Sequence, residues 1–283
     1  MASRKTAVVV GGSSGIGLAV ARALATRGEA VWVTSRDPAK AEAAAGKVGH
    51  GATTIVVDLA KPHEIAERFA AVGPVDHLVI TAVDRDRNSV KAYDIAAALK
   101  LVTTKLVGYA EVAHIFVERF TPDAAIVLYG GMARDRPYPG STTVSSINGG
   151  VTGLTRTLAV ELAPVRVNAI HPGFVSDSPY WAGNTEVSER MLGRTPGRRR
   201  LTTEHCVGAT LFLLDNQGMN GANLVVDAGI SLTSTGARGP ITRLREEGTC
   251  EQDRKLYLWP PPRSPHLLRR SPTAARSRAA NTW

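Results

Sequence analysis

Val8-Val9-Val10-Gly11-Gly12-Ser13-Ser14-Gly15-Ile16-Gly17 runs from a β-branched strand pattern through a glycine-rich corner into a helix-period segment. The apolar run stops at two glycines, after which Ile16, Val20, Ala23 and Leu24 recur at the intervals of one helix face. Glycines let the chain turn tightly and let a ligand approach the backbone. Unpaired N–H groups of the first helical turn, reinforced by the helix dipole, attract negative charge, so a corner of this kind at a strand's carboxyl end suits a pyrophosphate. Gly11, Ser13, Ser14, Gly15, Ile16 and Gly17 are therefore the candidate phosphate-binding residues.

Outward from this corner, seven β-rich runs alternate with helical patterns, at 7–10, 31–34, 54–57, 77–81, 125–129, 165–170 and 224–226. Parallel strands need crossover helices, so the alternation implies a parallel sheet covered on both faces. The fold class is α/β: one doubly wound, parallel-sheet Rossmann domain of about seven strands. Asp37-Pro38 reads as a helix start, Gly28 as the end of the first helix, and Gly73-Pro74 as a stop after the face made by Ile65, Phe69 and Val72. Residues 88–120 read as one long helix between the fourth and fifth strands.

The chain has 283 residues, 43% hydrophobic and 21% charged, which excludes a wholly disordered or collagen-like protein and allows one large core. Two cysteines, Cys206 and Cys250, without CxxC spacing, provide neither a disulfide framework nor a cysteine-based metal site. The apolar stretch 106–117 is broken by Glu111 and His114 and falls short of the roughly 18 residues of a membrane span. A cytoplasmic protein is expected. The net charge of +9 invites a nucleic-acid reading, but ten Arg/Lys against four Asp/Glu from Ser234 onward account for six of those charges. Residues 1–233 read as the folded domain and 234–283 as a disordered Arg/Pro-rich tail, with nucleic acid not expected as a partner.

The GxxxGxG spacing of the corner, Asp58-Leu59 after the third strand, Arg166-Val167-Asn168-Ala169-Ile170-His171-Pro172-Gly173, and Val226-Asp227-Ala228-Gly229 together resemble the short-chain dehydrogenase/reductase family, over residues 5–232. The resemblance implies a single NAD(P)-binding domain, a small-molecule substrate and a homodimer or homotetramer. After the second strand, Ser35-Arg36 stands where an NAD-preferring member carries an acid for the ribose hydroxyls. A guanidinium there suits a 2′-phosphate, so NADP(H) is expected to be preferred, with NAD(H) possible, although Asp37 follows at once and offers a neutralising charge. By resemblance, Asp58 and Leu59 contact the adenine, Pro172, Gly173 and Val175 face the nicotinamide, and Thr81 opens the segment where the family has NAG and this chain has Thr81-Ala82-Val83.

The reaction centre departs from the family at all four usual positions. Aligned back from Gly153-Leu154-Thr155, the YxxxK site reads Val144 to Asn148; the serine position is Gly131 and the asparagine position is Lys105. Val144 has no proton to donate, Gly131 no hydroxyl and Asn148 no charge. Lys105 at the asparagine position and Asn148 at the lysine position look like an exchange between facing helices, so these two are the catalytic candidates, with Asn148 as the hydrogen-bond partner of Lys105. Gly131, Val144, Gly149 and Gly150 either widen the space beside the nicotinamide or permit close helix packing. Tyr138, between Pro137 and Pro139, is either an acid that swings in or a packing plug, and His171 ends a strand as a satisfied imidazole. Tyr180, Trp181 and Met191 are expected in a lid over the substrate. The reading is an NADP(H)-dependent oxidoreductase acting on an unidentified carbonyl or alcohol. A non-redox isomerase or lyase, and an inactive NADP-binding sensor or scaffold, stand beside it.

Overall fold

Short apolar runs become strands here because a sheet covered on both faces has no solvent side to demand alternation. The structure, a computed structural model, describes residues 4–84 and 86–233. Its strands are β1 (Thr6–Val10), β2 (Ala30–Ser35), β3 (Thr53–Val56), β4 (Val75–Ile80), β5 (Phe120–Tyr129), β6 (Arg166–Pro172) and β7 (Asn223–Val226). They form a seven-stranded, all-parallel sheet in the order β3-β2-β1-β4-β5-β6-β7. The helices are α1 (Gly15–Thr26), α2 (Pro38–Val48), α3 (Ile65–Arg68), α4 (Ile95–Val102), α5 (Gly108–Ile115), α6 (Thr142–Glu161), α7 (Thr185–Arg194) and α8 (Thr203–Asp215). The reading of 234–283 as a disordered tail lies outside the described residues.

Alternate residues of β1 supply the two halves of the core. Val8 and Val10 join Leu78, Ile80, Ile126, Leu128, Tyr109 and Phe116 on one side of the sheet. Ala7 and Val9 join Val20, Leu24, Val33 and Val127 on the other. β1 pairs with both β2 and β4, so strand order reverses there and leaves a crevice at the strands' carboxyl ends. Asp37 starts α2 by accepting the Lys40 N–H at 3.1 Å, and Gly28 follows α1 at φ +89°, both as the sequence indicates.

Two helices differ from the sequence reading. The segment that ends at Gly73-Pro74 is α-helical only over α3; the Ala70 and Val72 N–H groups bond three residues back and tighten the chain, while Phe69 and Val72 stay buried. Residues 88–94 are not helical, because the Asn88 side chain binds both the carbonyl and the N–H of Asp94 (2.8 and 2.9 Å) and its own carbonyl accepts from Thr142 N–H at 3.0 Å. Asp94 then caps α4 through the Ala97 N–H at 3.0 Å. Between α4 and α5 the helix widens into a π turn over Thr103–Val107. Among the described residues, no helix is long and apolar enough to cross a membrane.

Candidate active site

The glycine corner is closed by contacts that exclude a side chain. A Cβ at Gly17 would lie 2.3 Å from the Gly11 carbonyl oxygen, and one at Gly11, where φ is +83°, would lie 2.7 Å from the Ala82 nitrogen. Thr34 Oγ1 accepts the Gly11 N–H at 3.0 Å, and the Thr81 hydroxyl lies 3.1 and 3.2 Å from the carbonyl oxygens of Val10 and Gly11. Thr81 thus braces the corner from the neighbouring strand. Ser14 takes the cap position of α1 with extended backbone and no side-chain cap bond, which leaves the first-turn N–H groups to an anion. A cradle that a Cβ would fill, at a helix start without a side-chain cap, fits a pyrophosphate. Ser13 is half-buried and Ser14 exposed beside it, while Ile16 packs against the cluster of Val175, Leu201 and Cys206. Pro179 comes within 3.4 Å of where a Gly15 Cβ would stand, so the segment after β6 reaches back over the corner.

Farther along the crevice, Ser35 is buried and its Oγ accepts the Asp37 N–H at 3.2 Å. The half-exposed Arg36 donates to Asp84 at 2.6 Å, which raises the guanidinium pKa through that hydrogen bond. Asp37 is occupied capping α2, so the counter-ion of Arg36 is Asp84, four residues beyond the end of β4. The Asp58 carboxylate accepts the Ala60 N–H at 3.0 Å. Leu59 is a core residue: its Cβ and carbonyl oxygen would both lie 2.8 Å from a Cβ at Gly108, where α5 passes closest.

At the carboxyl end of β5, Lys105, Asn148 and Gly131 come together. Lys105 lies in the π turn with 3% of its surface exposed, and its Nζ donates to Asn148 Oδ1 at 3.0 Å and to the Gly130 carbonyl at 3.2 Å. Asn148 Nδ2 would be 2.7 Å from a Cβ at Gly131, so the Asn148 amide fills the volume that a serine there would need. Gly150 permits close packing, since its Cβ would lie 2.9 Å from a methyl of Leu106. The idea that Gly131 and Gly150 widen the site is therefore corrected; both spaces are filled by side chains.

His171 is buried, with Nδ1 accepting the Gly131 N–H at 3.2 Å and Nε2 2.9 Å from Asn223 Oδ1. The Gly131 donor assigns the proton to Nε2. Burial pushes the imidazole down to about 4, against the opposing hydrogen bond to Asn223. It is a neutral structural group. Its folded pKa lies below the unfolded value near 6.5, so the unfolded chain binds the extra proton, and stability present above pH 6.5 is lost as pH falls towards 4. The expected loss is roughly 3 kcal/mol between pH 7 and 4. Denaturant unfolding across that range checks it, and a His171→Gln variant with an unchanged acid slope would refute the assignment.

Other polar residues near the mouth have separate tasks. The buried Tyr129 faces the opposite core layer, 2.6 Å from Thr210 Oγ1, and desolvation raises its pKa, so it is no proton donor here. Tyr138 is exposed, contrary to a packing plug, and its backbone is tied to Ser141. Gly173 follows Pro172 with its N–H on the Val226 carbonyl at 2.9 Å. Val175 is buried beside Leu201, and its carbonyl accepts the Ser178 N–H at 3.2 Å. Trp181 packs at a tilt against Phe174 and edge-to-face against Tyr180, with ring centroids 5.0 and 4.6 Å apart, and Met191 closes a cavity of only about 10 Å³ with Phe174, Leu201 and Ile230.

The comparisons agree with this architecture. A family model described as enoyl-(acyl carrier protein) reductase matches residues 10–231. The 3-oxoacyl-acyl-carrier-protein reductase of Bos taurus is 31% identical over 238 residues, which span 81% of this chain and 99% of that protein. A solved structure titled short chain dehydrogenase/reductase family protein superimposes with a TM-score of 0.73 at 32% identity, over 81% of this chain and 98% of that one. A variant of actinorhodin polyketide ketoreductase with NADPH gives 0.75 at 26% identity, over 82% and 99%. The match begins at the last residue of β1 and runs past β7. The chain belongs to the short-chain dehydrogenase/reductase family of oxidoreductases.

Proposed function

We propose that this chain is an NADP(H)-dependent oxidoreductase that interconverts a carbonyl and an alcohol at a lysine-centred site. The observation that carries the cofactor assignment is the corner in which only glycine fits, set before a first helical turn without a side-chain cap. Gly11 to Gly17 would hold the pyrophosphate, Arg36 the 2′-phosphate, Ser35 and Asp58 the rim of the adenosine site, and Pro172, Gly173 and Val175 the nicotinamide end. When bound, the nicotinamide supplies or accepts the hydride. Lys105 takes the part of the missing hydroxyl relay: its ammonium, anchored by Asn148 and the Gly130 carbonyl, stabilises negative charge that develops on the substrate oxygen and gives a proton to it in the reductive direction. Asn148 fixes the ammonium and leaves its charge intact. The NADPH in the related ketoreductase structure supports the cofactor assignment, and the names of the reductase relatives support a carbonyl substrate class.

The domain is assigned to residues 1–233, acting in the cytoplasm as a homodimer or homotetramer. Exposed Val90, Tyr93, Ile95 and Leu99, on and just before α4, support self-association, and size-exclusion chromatography returning only a monomer would remove it.

Thermal unfolding with NADPH, NADH or neither tests the main reading. Ligand at 100 times its dissociation constant should add about 2.7 kcal/mol, with NADPH effective at lower concentration than NADH. Arg36→Ala should sharply reduce that difference and leave NADH unaffected. Stabilisation by neither nucleotide would overturn the proposal; oxidation of NADPH with a carbonyl panel then identifies the substrate.

A further inference from the structure

The adenosine end of the crevice carries a second cation. Asp84 Oδ2 lies 2.6 Å from Arg36 Nη1 and 2.8 Å from Lys100 Nζ, and Asp84 Oδ1 is 3.4 Å from Arg36 Nη2. Arg36 stands at the end of β2, Asp84 past β4 and Lys100 on α4, so three separate elements converge on one carboxylate. Both cations keep about half of their side-chain surface exposed, 50% for Arg36 and 52% for Lys100, whereas Asp84 keeps 30%. The trio has a net charge of +1 and a half-exposed side chain on both cations. We propose that Arg36 and Lys100 together form the site for the 2′-phosphate of the cofactor, and that Asp84 is the resident counter-ion which this phosphate displaces.

The inference rests on the NADP(H) reading and deepens it. A dianionic phosphate has three acceptor oxygens and satisfies a guanidinium and an ammonium together, which a single carboxylate does at half the charge. A nucleotide without the 2′-phosphate presents no dianion at this end of the adenosine and leaves the cluster intact. Asp84 therefore opposes phosphate entry, and affinity reflects the difference between the two anions. Burial acts to raise the Asp84 pKa, but the hydrogen bonds from Lys100 and Arg36 outweigh it, so the carboxylate stays ionised.

Adenosine 2′,5′-bisphosphate and adenosine 5′-phosphate, which differ only in the 2′-phosphate, are the probes, titrated calorimetrically into the full chain. Lys100→Met should weaken the bisphosphate about three- to tenfold and leave the monophosphate unchanged, while Asp84→Asn should tighten the bisphosphate by a similar factor. Variants that move both nucleotides equally, or neither, would refute the two-cation site. Selective loss of the monophosphate in Asp84→Asn would make Asp84 a ribose-hydroxyl acceptor and equally refute it. Failure of the wild-type chain to bind either nucleotide overturns the NADP(H) reading as well; bisphosphate binding indifferent to Lys100 and Asp84 overturns this inference alone.

Discussion

Lys105→Met should lower kcat by about 10²–10⁴-fold while thermal stabilisation by NADPH is retained. The range is the usual contribution of a positioned proton donor, about 3–5 kcal/mol of barrier. Methionine approximates the length of the lysine stem, so the change removes the charge and donors but keeps most of the packing. It leaves the Gly130 carbonyl and Asn148 Oδ1 without this donor, which adds a stability loss of about 1–3 kcal/mol. The two effects separate when turnover is measured well below the melting transition and nucleotide binding is measured on the same sample. A folded, NADPH-binding variant with wild-type turnover would eliminate Lys105 from the chemistry.

Gly17→Ala should reduce nucleotide affinity more than about 100-fold and cost about 2–4 kcal/mol of stability. The new methyl would stand 2.3 Å from the Gly11 carbonyl oxygen and 2.5 Å from Thr81 Oγ1. Relief requires the corner to move away from α1, because the first obstacle is backbone. Such movement also pulls Gly11 from Thr34 and Thr81, so the phosphate cradle and the β1–β4 junction fail together. Gly149→Ala is the control: nothing lies within 4 Å of its Cβ position in α6, and helix propensity predicts a gain of about 0.5–1 kcal/mol. Calorimetric titration with NADPH on both variants decides the matter. Wild-type affinity in Gly17→Ala would mean that the corner holds no phosphate.

Most of the architecture was legible because it rests on local signals. Seven apolar runs, each bounded by turn residues, became the seven strands, and Asp37-Pro38 and Gly28 placed helix ends through chemistry confined to a few residues. The long helix was misread at its start because Asn88 binds across six residues to Asp94 and across the fold to Thr142, a competition that no periodicity reveals. At the site, Lys105 and Asn148 could be singled out as a hydrogen-bonded pair from motif positions, and the structure brings the two side chains together. The filling of the Gly131 space by Asn148 could not be seen, since it depends on a rotamer. Asp84 was missed for a related reason: nothing near it in the chain marks it, and its partners Arg36 and Lys100 lie 48 residues before and 16 after it.

The π turn between α4 and α5 has a further consequence. Buried Leu101, Lys105, Tyr109 and Ala113 follow one another at steps of four, which an ordinary helix would carry progressively around its axis, about 40° at each step. Wider winding over one turn takes up that lag, and the amine stays aligned with the leucine before it and the tyrosine after it. Deleting a single residue from 103–107 would restore regular winding and swing the cation out of phase with its neighbours, leaving composition almost unchanged. If the lysine-centred reading holds, turnover should depend on residue count along one helix as much as on residue type.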